Sequence, residues 1–106
     1  MNSKPEIYEV EFTEDCRAEI REIYKYISEK LVAKEAAKKL MRKIRNTILN
    51  LEKSPKLYMK IKNKYNREYR RIVIYNYIIL YTIDEKNKKF ILCICIMQEK
   101  IIYRSK

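Results

Sequence analysis

The sequence predicts an α+β fold: an N-terminal strand, an antiparallel two-helix hairpin and then a three-stranded antiparallel meander, with the helices on one face of the sheet. Three observations predict it. Residues 7–12 alternate apolar and acidic side chains, residues 13–53 carry two apolar stripes at helical spacing, and residues 69–97 contain three apolar segments joined by short polar turns. The 106 residues suffice for a single domain, 1–106, with one modest core.

The first strand leads directly into the first helix. In residues 7–12 a period of two places three side chains on the inner face: Tyr8, Val10 and Phe12. Thr13 should act as the N-cap of the helix, since its hydroxyl can accept from a free backbone N–H and two acidic residues occupy the first turn. An apolar stripe carries this helix to about residue 31, and its members are Ile20, Ile23, Tyr24, Ile27 and Leu31.

A second helix is predicted from about residue 33 to residue 53. Its apolar stripe comprises Ala36, Ala37, Leu40, Met41, Ile44, Ile48 and Leu51, and basic residues cover much of the remaining surface. The pair Ser54-Pro55 ends the helix, because the residue before a proline avoids helical geometry. The connection around Val32 is short, so the two helices should be antiparallel neighbours.

A basic loop, residues 55–67, links the hairpin to the meander, and a short strand or turn is expected at 59–61. The meander strands are predicted over residues 69–74, 77–83 and 90–97. Tyr75 and Asn76 form the first meander turn. Because the chain has no glycine, Asn76 is the residue there that most readily accepts a positive φ. Residues 98–106 form a polar, basic tail.

The last two meander strands are apolar on both faces, which is unusual for a sheet with one face in water. In the middle strand, one face carries Tyr77, Ile79, Tyr81 and Ile83, and the other carries Ile78 and Leu80. In the last strand, one face carries Ile91, Cys93 and Cys95, and the other carries Leu92, Ile94 and Ile96. The helices can cover only one face, so we expect a bound partner to shield part of the other.

The net charge of +11 is distributed unevenly. Residues 1–33 carry a net charge of −3, and residues 34–106 carry +14. Such polarity favours nucleic acid, a ribosome or an acidic protein as partner. An AT-rich genome also raises lysine content without function, but it explains clustered arginines poorly. The candidate nucleic-acid- or partner-binding residues are Lys62, Lys64, Arg67, Arg70, Arg71 and Arg104.

Several functional classes are not expected. No apolar run reaches the roughly 18 residues of a membrane span, and the polar, acidic N-terminus does not have the pattern of a signal peptide, so a cytoplasmic location is expected. The three cysteines, Cys16, Cys93 and Cys95, are interpreted as small apolar filler. The chain has no histidine, so neither a metal site nor a cofactor is expected.

The meander RRIVIYNYIILYTIDEKNKKFILCICIM, residues 70–97, and the N-terminal Tyr-x-Val-x-Phe-Thr together resemble the RelE/ParE superfamily of type II toxin–antitoxin toxins. The resemblance covers about residues 7–103. It implies a small toxin that a cognate antitoxin neutralises. An acidic antitoxin segment on the open sheet face would supply the missing cover.

The resemblance implies two alternative mechanisms. A RelE-like toxin cleaves mRNA on the ribosome without a metal, and the candidate catalytic residues are then Arg70, Arg71, Lys100 and Tyr103. Strand alternation allows only one of the two arginines to face the open side. A ParE-like toxin inhibits DNA gyrase and needs no catalytic residues. The alternative from a different class is a non-enzymatic basic module that binds nucleic acid or protein. A mechanism that uses histidine as acid or base is excluded, since the chain has none.

Overall fold

Five strands and two α-helices form the part of the chain that the computed structural model describes, residues 7–62 and 67–97. In chain order they are β1 (Glu9–Phe12), α1 (Glu14–Lys25), a π-helical turn (Tyr26–Lys30), α2 (Lys34–Lys53), β2 (Lys60–Lys62), β3 (Glu68–Ile74), β4 (Tyr77–Asp84) and β5 (Lys89–Met97). The predicted α+β class is confirmed. No helix in these ranges is long and apolar enough to cross a membrane.

All five strands belong to one mixed sheet, in the order β1-β5-β4-β3-β2. The three meander strands pair antiparallel as predicted. β2 extends the sheet beside β3, where the sequence predicts a short strand or turn. β1 pairs parallel with β5, because the helical hairpin carries the chain back across one face before the meander begins.

The core lies between the sheet and the helices. Its buried members are Tyr8, Cys16, Ile27, Ala37, Leu40, Ile44, Leu51, Ile72, Ile74, Ile79, Tyr81, Phe90, Leu92 and Cys95. The predicted N-cap is confirmed, because the Cys16 backbone N–H donates to Thr13 Oγ1 at 3.0 Å. The same hydroxyl donates to the Cys93 carbonyl at 2.8 Å, which ties the start of α1 to β5.

The first helical segment changes its winding before its end. The α-helical part stops at Lys25, and the π-helical turn that follows rotates the later side chains relative to the stripe. Ile27 is buried as expected, but Leu31 is 55% exposed, so its predicted core position is wrong. Tyr24 and Ala36 are also exposed, since each lies at the edge of its stripe.

A β-bulge in β5 changes which side chains face the core. Ile94 pairs with Leu80 and Leu92 pairs with Tyr81, so Cys93 is the extra residue between them. The bulge reverses the alternation, and Leu92 and Cys95 are therefore both buried in the core. The predicted split of this strand, with these two side chains on opposite faces, is wrong because a bulge shifts the parity by one residue.

The first meander turn also differs from the prediction. The positive φ falls on Tyr75, at 53°, and not on Asn76. A non-glycine residue in this region is uncommon, because its Cβ crowds the backbone. The Tyr75 side chain is exposed, so the turn conformation does not have to bury it against the core.

Candidate functional site

The two arginines of β3 lie on opposite faces of the sheet. Arg70 pairs with Tyr81, whose side chain is in the core, so Arg70 lies on the helix side and is half-buried. Arg71 pairs with Leu80, lies on the other face and is exposed. The alternative that strand alternation left open is thereby resolved: Arg71 faces the open side.

The Arg70 side chain is bound to backbone. Its Nη1 donates to the Tyr58 carbonyl at 2.7 Å and to the Lys56 carbonyl at 3.3 Å. The Tyr81 hydroxyl donates to the neighbouring Pro55 carbonyl at 2.6 Å. Burial raises the pKa of Tyr81 from 10.0 to about 12, so this phenol stays protonated at neutral pH. Together these bonds fasten the segment after α2 to the sheet.

A cavity of about 170 Å³ lies beside Arg70 and contains side chains of both charges. It is lined by Lys60, Glu68, Tyr69, Arg70, Tyr81, Thr82, Ile83 and Glu85. Hydrogen bonds from the Tyr8 hydroxyl and from Lys56 hold the pKa of Glu85 below its usual range. Lys60 Nζ lies 3.8 Å from Glu68 Oε1. The two carboxylates balance the two cations of the lining, Lys60 and Arg70, so this cavity has no excess of positive charge to hold a phosphate.

The face of the sheet turned away from the helices is apolar at its centre, with Arg71 on its β3 side and the ion pair Glu11–Lys89 on its β1 side. Its central part, the open face, comprises Arg71, Val73, Ile78, Leu80, Thr82, Ile91, Ile94 and Ile96. No helix covers it within residues 7–62 and 67–97. Val73 is 51% exposed, and Ile78 is 4% exposed although it is not part of the main core. The expected apolar face on this side of the sheet is therefore present, but Val73 is its one exposed apolar residue among those described, and Leu92 does not belong to it.

A groove of about 600 Å³ lies between α1 and the end of β5, and nothing in the sequence pattern predicts it. It is lined by Ala18, Glu19, Glu22, Ile23, Tyr26, Tyr77, Cys95, Ile96 and Met97. β1 ends at Phe12, so among the residues that the structure describes no strand lies beside the later part of β5 on that side. The Glu19 side chain satisfies this edge of β5 in place of a neighbouring strand, since Glu19 Oε1 accepts from the Cys95 backbone N–H at 2.8 Å. No local sequence signal marks a helix side chain that completes a sheet.

The three cysteines lie close together, and the pKa of each thiol is raised, which lowers its reactivity. Burial raises the pKa of Cys16 from 9.0 to about 12, and nearby Glu19 adds to the effect. Burial likewise raises the pKa of Cys95 to about 12. The reactive thiolate forms are therefore scarce at neutral pH, as expected of apolar filler.

The other candidate residues are spread over the structure. Lys62 ends the short strand β2, and Arg67 is exposed just before β3. Lys64, Lys100, Tyr103 and Arg104 lie outside the described residues. Arg70 and Arg71 are adjacent in sequence, but the sheet separates their side chains.

A helical hairpin packed on a mixed five-stranded sheet is a fold that this chain shares with solved structures of toxin–antitoxin systems. The family model for the ParE toxin of the type II toxin–antitoxin system parDE matches residues 10–101. The chain belongs to this ParE toxin family. No match was found among curated proteins.

Solved structures with the same fold include chains from toxin–antitoxin systems of three organisms. The chromosomal ParDE system of P. aeruginosa aligns with a TM-score of 0.67 at 13% identity, over 87% of this chain and 97% of that chain. The RelBE2 toxin–antitoxin complex of Mycobacterium tuberculosis gives 0.62 at 13% identity, over 91% and 97%. The archaeal RelE–RelB complex of Pyrococcus horikoshii OT3 gives 0.55 at 13% identity, over 87% and 96%.

Proposed function

We propose that this toxin arrests growth by binding and inhibiting DNA gyrase, and not by cutting RNA. The observation that carries the proposal is the separation of Arg70 and Arg71 on opposite faces of the sheet. A phosphate transition state is stabilised by donors that converge on one point within hydrogen-bond distance. These two side chains leave the sheet in opposite directions, and Arg70 is already bound to two carbonyl groups.

The surroundings of Arg70 support the same conclusion. Glu85 accepts from the Tyr8 hydroxyl at 2.8 Å, and this bond lowers the pKa of Glu85. Glu68 lines the same small cavity. Each carboxylate is ion-paired with a lysine, Glu85 with Lys56 at 3.0 Å and Glu68 with Lys60 at 3.8 Å, so these lysines are engaged and do not offer a phosphate site. Inhibition by binding requires no such site. The match to the ParE family model also favours the gyrase mechanism.

Ribosome-dependent mRNA cleavage is the second candidate, and the exposure of Arg71 favours it. Within residues 7–62 and 67–97, no ion pair involves the Arg71 side chain, so it is available to a phosphate. Lys100 and Tyr103 would supply the remaining catalytic groups in this candidate mechanism. Neither mechanism requires a cofactor. Gyrase and the ribosome are both cytoplasmic, so either mechanism implies a cytoplasmic location.

The open face is the proposed site of the cognate antitoxin. Val73 is exposed there, and Leu80, Ile94 and Ile96 are only partly covered, so a partner segment would remove apolar surface from water. Arg71 lies on the same face and can pair with an acidic side chain of the partner. An acidic, partly apolar antitoxin segment fits both features.

Two assays in parallel test the mechanism. Purified toxin should inhibit supercoiling by purified gyrase without ribosomes, and toxin premixed with its antitoxin is the control. Ribosome-bound mRNA should stay intact when the toxin is added. Cleaved mRNA with unchanged supercoiling would establish the ribonuclease instead. Normal growth of cells that express the soluble chain alone at high level would favour the non-enzymatic binding module.

A further inference from the structure

The outer face of α2 carries a dense set of positive charges. This α2 cationic face comprises Lys34, Lys38, Lys39, Arg42, Lys43, Arg45 and Lys53, and all seven are exposed. The acidic residues of α2 are Glu35 and Glu52. Lys38 Nζ lies 3.9 Å from Glu35 Oε2, and no other ion pair involves α2 within the described ranges.

The packing of α2 fixes the direction of these charges. One side of the helix is buried against the sheet through Ala37, Leu40, Ile44, Thr47 and Leu51. The cations therefore project outward over the helix of 20 residues, which is about 30 Å long. Lys34, Lys38 and Arg42 follow each other at four-residue spacing, which places one cation about every 6 Å along the axis.

Helix stability does not account for this arrangement. Like charges four residues apart, as in Lys34–Lys38 and Lys39–Lys43, repel each other and destabilise a helix. Lys34 also lies in the first turn, where the helix dipole disfavours a cation. A regular polyanion along the helix would remove both penalties.

The composition of the face identifies the kind of polyanion. A protein partner needs apolar or aromatic anchors, and Leu49, which is 49% exposed, is the one large apolar side chain fully on this side of α2. Single strands are bound by stacking on aromatic rings, and α2 contains none. The major groove of duplex RNA is too narrow and deep for side chains to read, whereas that of B-DNA admits an α-helix.

We propose that the α2 cationic face docks on duplex DNA, with the helix along the major groove and its lysines and arginines on the flanking phosphates. Binding is independent of base sequence and depends on salt, because it arises from counterion release. The surface lies on the helix side of the molecule, away from Arg71 and the open face. It therefore does not depend on the gyrase or ribonuclease proposal. A toxin held on DNA would be concentrated where gyrase works.

Fluorescence anisotropy of a labelled mixed-sequence DNA duplex, about two turns long, tests the proposal with the full-length chain. The variant is Lys38→Gln with Arg42→Gln and Arg45→Gln. The matched control is Arg21→Gln with Lys25→Gln and Lys30→Gln, which removes the same charge from exposed positions on the preceding helical segment. Thermal unfolding verifies that both variants are folded.

The α2 variant should bind the duplex on the order of 100-fold more weakly near 0.1 M salt, and its plot of log K against log salt should be less steep by about three. The control should change far less. Equal losses in both variants would show that net charge alone binds DNA and would overturn the site. Equal or tighter binding to duplex or single-stranded RNA would overturn the assignment to DNA. The affinity and its salt dependence are both measured without gyrase or ribosomes, so this test can fail or succeed independently of the mechanism assays.

Discussion

Arg70 and Tyr81 lie opposite each other on β3 and β4, and both hold the same stretch of backbone. Arg70 donates to the Tyr58 carbonyl at 2.7 Å, and the Tyr81 hydroxyl donates to the Pro55 carbonyl at 2.6 Å. Because these bonds fix the segment between α2 and β2, Arg70 has a structural role whichever target the toxin has. A loss of toxicity in an Arg70 variant therefore has to be corrected for a loss of folded protein.

Tyr81→Phe should reduce the free energy of unfolding by about 1–2 kcal/mol, because it leaves the Pro55 carbonyl without its donor in a buried site. Urea denaturation followed by circular dichroism measures the change. Tyr75→Phe is the matched control, since its side chain is exposed in a turn, and it should have almost no effect. Equal stability of both variants would mean that the Pro55 bond contributes nothing.

The stability of the protein should fall as pH rises above 9. The pKa of Cys16 and that of Cys95 are raised from 9.0 to about 12 by burial, so the unfolded chain loses these protons first. The two buried thiols contribute their full stabilisation below pH 9 and lose it as the pH approaches 12. Tyr81 adds to the fall in stability above pH 10.0, the usual pKa of its hydroxyl. Denaturation at a series of pH values checks this, and Tyr81→Phe should make the fall above pH 10 less steep.

Thr13→Ala should destabilise the protein by about 1–2 kcal/mol, because it removes a helix cap. It also removes the bond from the hydroxyl to the Cys93 carbonyl at 2.8 Å. Thr13→Ser keeps the hydroxyl and should recover most of the loss. Chemical denaturation of the wild type and the two variants measures these changes in stability. If the Ser variant were as unstable as the Ala variant, the loss would come from the threonine methyl group and not from the hydroxyl.

The association rate with the antitoxin should decrease as salt rises, because at about 0.1–0.15 M salt the attraction between exposed charges is largely screened beyond about 8–10 Å. Arg67→Gln with Arg71→Gln should flatten this dependence, and it leaves the structural Arg70 in place. Arg21→Gln with Lys25→Gln, on α1, is the control of equal charge. Stopped-flow mixing at several salt concentrations measures the rates. A rate that does not change with salt would argue against an acidic partner.

The sequence predicts the elements that follow a simple period and misses those that break one. Thr13 caps α1 as its position before two acidic residues predicts, and the meander has the predicted antiparallel pairing. Cys93 is an extra residue in β5, and nothing in a run of apolar residues indicates where a strand will bulge. The apolar stripe of the first helix likewise gives no sign of the π-helical turn after Lys25, because tertiary packing determines where the winding changes.

The candidate site was predictable in its charge but not in its geometry. Alternation states that Arg70 and Arg71 face opposite ways, but it does not state which of them meets the helices. That choice depends on the pairing of β3 with β4, which places Arg70 opposite the buried Tyr81. The carbonyl groups that bind Arg70 come from an irregular segment, and no periodic pattern predicts its path.

The bond from the Cys95 backbone N–H to Glu19 has a consequence for how molecules of this toxin meet one another. An unpaired strand edge is a template for a foreign strand, and here a carboxylate already occupies the donor that such a strand would use. At the opposite border, β2 is only three residues long and carries Lys60 and Lys62, which repel the same border of another copy. These two features disfavour growth of the sheet from molecule to molecule at both borders.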